Sequence, residues 1–497
     1  MKHKPTAIIV GAGVAGLATA IRLAVQGFAV TVFEKNNYAG GKIASFNLSN
    51  YQFDEGPSLF TQPENIEELF TLAGKNIADY FSYVALPIAC RYFFENGKVV
   101  NAYTDKDAFA HELEKTLHEE GSSVYRYLTE AEKLYNNVGK IFLNYSLHTS
   151  TILNAPLKQA VATVKPSLLF QSLNAYNKAR FSQPETVQIF NRFATYNGSN
   201  PYKAPAMLSL IPHLEQNLGT FYPKNGMISI GRALHKLALD CGVIFKFNTT
   251  VEQIITKNNR ATGVKVGGQI HSSDLIVSNM DVYFTYKHLL NNNEYAQKIL
   301  KQERSSSAII FYWGIKKSFE QLQLHNIFFT EDYQQEFEHI FTKGSLYHDP
   351  TIYINITSKM EAGQAPEGCE NWFVMVNAPA NTGQNWQQLQ QQCRAAIITK
   401  LNRMLKVNLQ NYIEEEQVMD PVDIERKTSS YMGSLYGTSS NGKMAAFLRH
   451  PNFSTKISGL YFAGGSVHPG GGIPLCLHSA KLVSSMVKND LKKLIPS

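Results

Sequence analysis

The chain has 497 residues, 44% of them hydrophobic and 18% charged, with a formal net charge of +7. That length and apolar content exclude a tail, a fibre or one small domain, and call for two or more lobes with large cores. Lysine and arginine are scattered among acids with no run of five or more, a pattern that speaks against a nucleic-acid partner and is compatible with adhesion to an anionic lipid surface.

The five cysteines, Cys90, Cys241, Cys369, Cys393 and Cys476, are widely spaced and form no CxxC pair. They argue for a reducing compartment and against a disulfide framework or a zinc site, so no metal is expected. No apolar stretch reaches the roughly 18 residues of a spanning helix.

From Ala7 the chain reads "AIIVGAGVAGLATAIRLAVQGFAVTVFEK". A β-branched run (Ile8 to Val10) predicts a strand, Gly11, Gly13 and Gly16 a tight turn, and the following pattern a helix to about Val25. A second strand (Val30 to Phe33) ends in Glu34. A basic stub before an apolar run also suits a secretory leader, but the glycine spacing and Arg22 favour a strand, turn and helix kept in the mature protein.

Each piece has a task in a dinucleotide site. Gly11 makes the turn, Gly13 lets backbone approach a pyrophosphate, and Gly16 lets helix and strand pack closely. The helix N-terminus faces the phosphates, and Glu34 accepts hydrogen bonds from ribose hydroxyls. Val14, Ala15 and Lys35 flank these positions and are assigned to the same site. "AGGKI" then brings Gly40, Gly41 and Lys42, and "FDEGPSLFT" brings Gly56, Pro57 and Ser58. A second glycine pair suits the second backbone approach that an extended FAD needs. A hairpin with turn glycines is the alternative.

Residues 96–220 read as helical. Within them "LNAPLKQAVATVKPSLLFQSLNAYNKARF" carries widely spaced Lys158, Lys165 and Lys178 on an apolar background. An amphipathic helix lying in a bilayer interface has this pattern, and so does a core helix with solvated lysines. Nucleotide-domain features return from Phe221 to Asp281, where "DLIVSNMD" predicts a strand that brings Asn279 back to the cofactor. From 286 to 449, "SAIIFYWGI", "TIYINIT" and "NWFVMVNAP" predict a sheet flooring a cavity.

The tail "LYFAGGSVHPGGGIPLCLHSAK" concentrates glycine before a last predicted helix. Glycine at that density is costly in chain entropy and is kept where backbone must come very close to something. The expected architecture is α/β. A Rossmann-like FAD-binding domain is assembled from residues 1–95, 221–285 and 450–497. A helical, membrane-associating subdomain (96–220) and a β-sheet substrate domain (286–449) complete it.

The stretches above, with "TYNGSNPYKAPAMLSLIPHLEQNLGTFYPKNGM" and "APEG" (Ala365 to Gly368), resemble the bacterial-type carotenoid desaturases of the flavin amine-oxidase superfamily. The resemblance runs over nearly the whole chain, and "HPGGGIP" with "YNGSNPY" is its specific part. It implies FAD, with Gly464, Gly465, Gly471, Gly472, Ile473 and Pro474 lining the flavin ring and Val251 meeting the adenine through its backbone. Main-chain amides and the last helix's N-terminus would stabilise negative charge on the reduced ring.

Phytoene-using members often show Leu-Arg before the "YNGSNPY" block. Here that place reads Thr186-Val187, so no role is carried over from that arginine. Arg192 in "NRFATY" resembles instead the subgroup that introduces a 3,4 double bond near the end of a hydroxylated or monocyclic carotene. Glu215 and His213 in "HLEQNLG", Arg192 as an orienting group, and His468 are the candidates around a proton acceptor. The alternatives are an ion pair or a helix-surface acid for Glu215, and for His468 a hydrogen bond that ties down the glycine loop; water or the flavin can also take the proton.

The resemblance implies a carotenoid substrate, a cytoplasmic location at the inner membrane face, and oxygen or a membrane quinone as electron acceptor. An early-pathway phytoene or lycopene desaturase and a redox-neutral carotenoid isomerase are the nearest alternatives. A non-enzymatic carrier of isoprenoid lipids is more distant, since it has no need of Gly11, Gly13, Gly16 and Glu34.

Overall fold

The computed structural model describes residues 4–299, 302–442, 445 and 449–494. One lobe is built on a parallel sheet whose strands lie in the order Leu460–Phe462, Leu275–Ser278, Thr6–Val10, Ala29–Phe33, Ile244–Lys246. The central strand is covered on both faces, so it reads as a continuous apolar run. Its alternate side chains divide between two cores. Ala7 and Ile9 pack with the helices Val14–Val25, Ile228–Asp240 and Ile473–Leu494. Ile8 and Val10 pack with Ile254, Ala261 and Val264 of a three-stranded antiparallel sheet.

The second lobe holds a seven-stranded sheet in the order Ile413–Met419, Ser307–Ile315, Glu370–Ala378, Ile352–Asn355, His325–Phe328, Ile88–Phe93, Val99–Tyr103. The same parity places its faces. Ile309, Phe311, Trp313 and Ile315 pack beneath the helix Trp386–Leu405, while Ala308, Ile310 and Tyr312 pack on the opposite side with Phe53 and Phe373. That opposite side floors the cavity described below.

The hairpin Ile88–Phe93 and Val99–Tyr103 changes the expected boundaries. It joins the sheet through parallel pairing with His325–Phe328. A division at 95 and 96 therefore cuts a hairpin whose two strands both belong with the sheet of residues 286–449.

The helical part also differs from expectation. Residues 157–178 form no single amphipathic helix but three short ones, Leu157–Thr163, Pro166–Phe170 and Leu173–Lys178. Pro166 stands at the start of the second, where a missing N–H costs nothing, and its ring bars continuation from the first. Leu153, Leu157, Val161 and Phe170 are left exposed. No helix of the described residues is long and apolar enough to cross a membrane.

Asp54, at the end of the strand Tyr51–Asp54, is buried and accepts from the Met227 amide (3.1 Å). Burial pushes its carboxyl up to about 6, against the pull of the Met227 and Ile228 amides. The fold thus binds this proton more tightly than the unfolded chain does. Its contribution to stability is complete below about pH 4, the ordinary aspartate range, and is lost as pH rises through about 6. An Asp54→Asn variant is expected to flatten the unfolding midpoint across that window relative to the parent; an unchanged slope would refute the assignment.

Candidate active site

One cavity of about 640 Å3 runs through both lobes. At its nucleotide end, Glu34 follows the strand Ala29–Phe33 and is buried. Its carboxylate accepts from the Ala12 amide (2.7 Å) and the Asn36 amide (2.9 Å). Two bonds leave lone pairs for ribose hydroxyls. Lys35, Thr249 and Val251 border the same end, and Thr249 N–H donates to the Glu34 carbonyl (2.8 Å).

Asn279 joins the three chain segments of this lobe. Its backbone N–H donates to Val10 O and its side-chain amide to Ala463 O, both at 2.8 Å. A Cβ at Gly13 or Gly464 would stand 2.7 Å from that amide, and one at Gly16 would stand 2.9 Å from it. These glycines are therefore required by close approach to a side chain. Gly16 packs behind the turn and does not itself line the cavity.

Gly11, Val14, Ala15, Gly40, Gly41, Lys42, Gly56, Pro57 and Ser58 border the cavity together with Gly465, Gly471, Gly472, Ile473 and Pro474. Lys42 Nζ donates to Leu435 O (2.9 Å), and burial lowers its pKa. The first residues of the helix Ile473–Leu494, whose N–H groups (at Ile473 and Leu475, Pro474 having none) lack an intrahelical acceptor, border the cavity. A carboxylate with spare acceptor capacity, a glycine turn and a free helix N-terminus suit the ribose, pyrophosphate and ring of an extended dinucleotide.

The substrate end is apolar, with Leu208, Leu214, Ile310, Ile327, Phe373 and Met375 in its wall. Among the polar side chains of the wall are two hydrogen-bonded groups. Arg192 Nη2 donates to Glu215 Oε2 (2.7 Å), and Tyr196 Oη donates to Glu215 Oε1. The guanidinium lies over Phe193 (4.4 Å), Tyr92 (5.4 Å) and Tyr196 (5.6 Å). Burial works against the Arg192 charge, but Glu215 and Tyr92 outweigh it and raise its pKa. Burial raises the Glu215 carboxyl, and Arg192 only partly restores it.

The second polar group crosses from one lobe to the other. Ser58 Oγ bonds Tyr353 Oη (2.7 Å), which bonds His325 Nδ1 (2.8 Å). His325 is buried in the cavity wall, and burial, with Arg192 nearby, lowers its pKa to about 3. It is therefore neutral at physiological pH.

Two expected catalytic candidates lie outside this wall. His213 stands two positions before Glu215 on the short helix Pro212–Gln216, which turns it to a different face. It meets Asn217 Nδ2 (2.8 Å) and the Tyr135 ring (4.9 Å). His468 is buried against Phe142, with Nε2 3.2 Å from Tyr145 O. Burial lowers both imidazoles to about 4. His468 thus ties the glycine tail to the helical part.

Sequence reasoning missed His325, Tyr353 and Arg449. Arg449 is a buried cation in the cavity wall whose bonds go to Tyr436 O and Ser440 Oγ, both at 3.4 Å. A histidine inside the apolar run "HNIFFT" is the one visible signal for the first.

The profile described as "Flavin containing amine oxidoreductase" matches residues 14–487. The chain is 49% identical to a 1-hydroxycarotenoid 3,4-desaturase of Flavobacterium sp. (strain P99-3), over 97% of this chain and 99% of that protein. It is 33% identical to a 4,4'-diapolycopene oxygenase of Methylomonas sp., over 98% of each chain. Among solved structures, an oxidoreductase from Methanosarcina mazei superposes with a TM-score of 0.64 at 15% identity, over 97% of this chain and all of the other; at that identity it speaks to the fold alone.

Proposed function

The chain belongs to the family of flavin-containing amine oxidoreductases, and from that premise we propose that it is an FAD-dependent carotenoid desaturase that introduces the 3,4 double bond beside a hydroxylated chain end. The observation that carries this reading is one continuous cavity, whose nucleotide end at Glu34 and the tail glycines continues into an apolar stretch at Leu208, Ile310 and Phe373.

When bound, FAD supplies the two-electron acceptor for the loss of two hydrogens from adjacent carbons. The chain's own residues do the rest. Glu34 and the first glycine turn hold the nucleotide, and the free amides at Ile473 and Leu475 favour negative charge on the ring. The apolar wall excludes water and fixes the polyene's position along the tunnel. Glu215, already accepting from Arg192 and Tyr196, holds that cation in one place rather than serving as a free base.

We also propose that the protein works in the cytoplasm, on the inner face of the cell membrane. Leu169 borders the cavity while its neighbour Phe170 is exposed. The helix Leu157–Thr163 packs on the turn Tyr135–Gly139, itself part of the cavity wall, with Asn137 Nδ2 donating to Thr163 Oγ1 (2.9 Å). An apolar surface with Lys158 and Lys165 beside it suits a bilayer that holds the substrate. Oxygen or a membrane quinone would remove the electrons. The Val161→Asp, Phe170→Asp double variant is expected to lose most co-sedimentation with anionic liposomes while keeping its flavin; unchanged sedimentation would refute the docking surface.

The activity is tested in a bacterial host expressing this chain with phytoene, lycopene, a monocyclic carotene or a 1-hydroxylated carotene supplied separately. The hydroxylated substrate is expected to give a red-shifted product lighter by two hydrogens. Conversion of phytoene would make the chain an early-pathway desaturase. An unchanged mass with altered retention would make it an isomerase.

A further inference from the structure

In a 1-hydroxylated chain that gains a 3,4 double bond, the oxygen lies only a few bonds from the carbons that lose hydrogen. It must therefore enter the apolar tunnel close to the cofactor, and a hydroxyl taken out of water without a partner is strongly disfavoured. Most polar groups in the wall are already engaged. Glu215 accepts from Arg192 and Tyr196, and Tyr353 Oη lies between Ser58 Oγ and His325 Nδ1.

Three buried nitrogens of wall residues meet no partner among the described residues, Arg192 Nε, Arg449 Nε and His325 Nε2, and of these His325 Nε2 alone sits on a neutral ring. The protonation of this ring follows from its other nitrogen. Asn355 sits opposite His325 on the neighbouring strand. Its Nδ2 donates to Leu324 O (3.2 Å) and approaches His325 Nδ1 at 3.2 Å. An amide NH2 can only donate, so Nδ1 accepts and Nε2 carries the hydrogen. The wall thus holds an unpaired N–H on a neutral ring anchored through Tyr353 to Ser58, in the loop that borders the nucleotide end.

Resting on the reading of a hydroxylated carotene substrate, we propose that His325 Nε2–H holds the substrate's terminal hydroxyl and so selects hydroxylated chains over plain hydrocarbons. A hydrocarbon end would leave this donor buried and unpaired, and sites built around such a donor discriminate strongly against ligands that lack its partner.

The test uses FAD-loaded protein with a 1-hydroxylated carotene and the same carotene lacking the hydroxyl, each carried in liposomes. For the parent, kcat/KM is expected to favour the hydroxylated chain. The His325→Phe variant is expected to lower that ratio by about 10- to 100-fold, with KM rising more for the hydroxylated chain than for the other. His325→Gln, which keeps an N–H donor, is expected to restore much of the ratio. Binding of the hydroxylated product to the oxidised protein, read from the polyene absorption shift, is expected to weaken in His325→Phe by a similar factor.

Should His325→Phe not retain flavin, His325→Leu takes its place. An unchanged ratio in the donor-less variant, or equal loss for both substrates without rescue by glutamine, overturns the inference. If the parent converts both chains equally well, the desaturase reading stands and the hydroxyl site falls. If it converts neither, the reading itself falls, and the inference with it.

Discussion

The Gly16→Val variant is expected to be isolated without flavin and with a sharply lowered unfolding midpoint. A Cβ at this position would stand 2.2 Å from the carbonyl oxygen of Gly11. That atom belongs to the backbone and cannot rotate away, so the first helix must shift from the central strand. Overpacking of an interior ordinarily costs about 1–3 kcal/mol. Here the shift also moves the turn proposed to hold the pyrophosphate, so the loss of cofactor is expected to be complete. Flavin released on denaturation, per mole of protein, is the measurement. Gly363→Ala serves as control, because a Cβ there meets nothing within 4 Å; it is expected to change stability by less than about 0.5 kcal/mol. Full flavin occupancy in Gly16→Val would refute the close-packing role.

The second large effect concerns Arg192 and Glu215. Their side chains are 9% and 2% exposed and 2.7 Å apart. Glu215→Leu leaves a buried guanidinium with no counter-charge at that position and strands the Tyr196 hydroxyl. Breaking a buried pair from one side costs about 3–5 kcal/mol, which is a large share of a typical total of about 5–15 kcal/mol. Poor soluble yield and a low unfolding midpoint are expected. The Arg192→Met, Glu215→Leu double variant removes both charges and is expected to regain most of the loss. If the double variant is as unstable as the sum of the singles, the two residues are not coupled.

The parts of this molecule that could be read from the chain are those whose physics is local. The strand, glycine turn and helix from Thr6 to Val25 lie in consecutive residues, and so does the acid that closes the next strand. The tail glycines could be read in the same way, because so dense a cluster is too costly in chain entropy to persist unless backbone must approach something closely. The hairpin at 88–103 could not, because its partner strand begins at His325 and no short-range pattern announces a parallel pairing over that separation. His213 and Glu215 sit two apart, and only the helix geometry decides which of them faces the tunnel. His325 acquires its chemistry from Tyr353, Asn355 and Ser58, three residues remote in sequence. The Leu157–Lys178 stretch reads as one helix when apolar spacing is given more weight than the break that Pro166 imposes.

The parallel sheet of the nucleotide lobe has a consequence for how the protein is made. Its edge strand Leu460–Phe462 is the last strand in chain order among the described residues, yet it pairs with Leu275–Ser278 beside the central strand. The amino-terminal turn therefore emerges from the ribosome long before the segment that completes its cradle. Pairings of such high sequence separation form late, so the seat for the cofactor cannot close during early synthesis. Flavin availability then bears on the final stage of maturation, and a chain cut short before Leu460 would accumulate as an apoprotein prone to proteolysis.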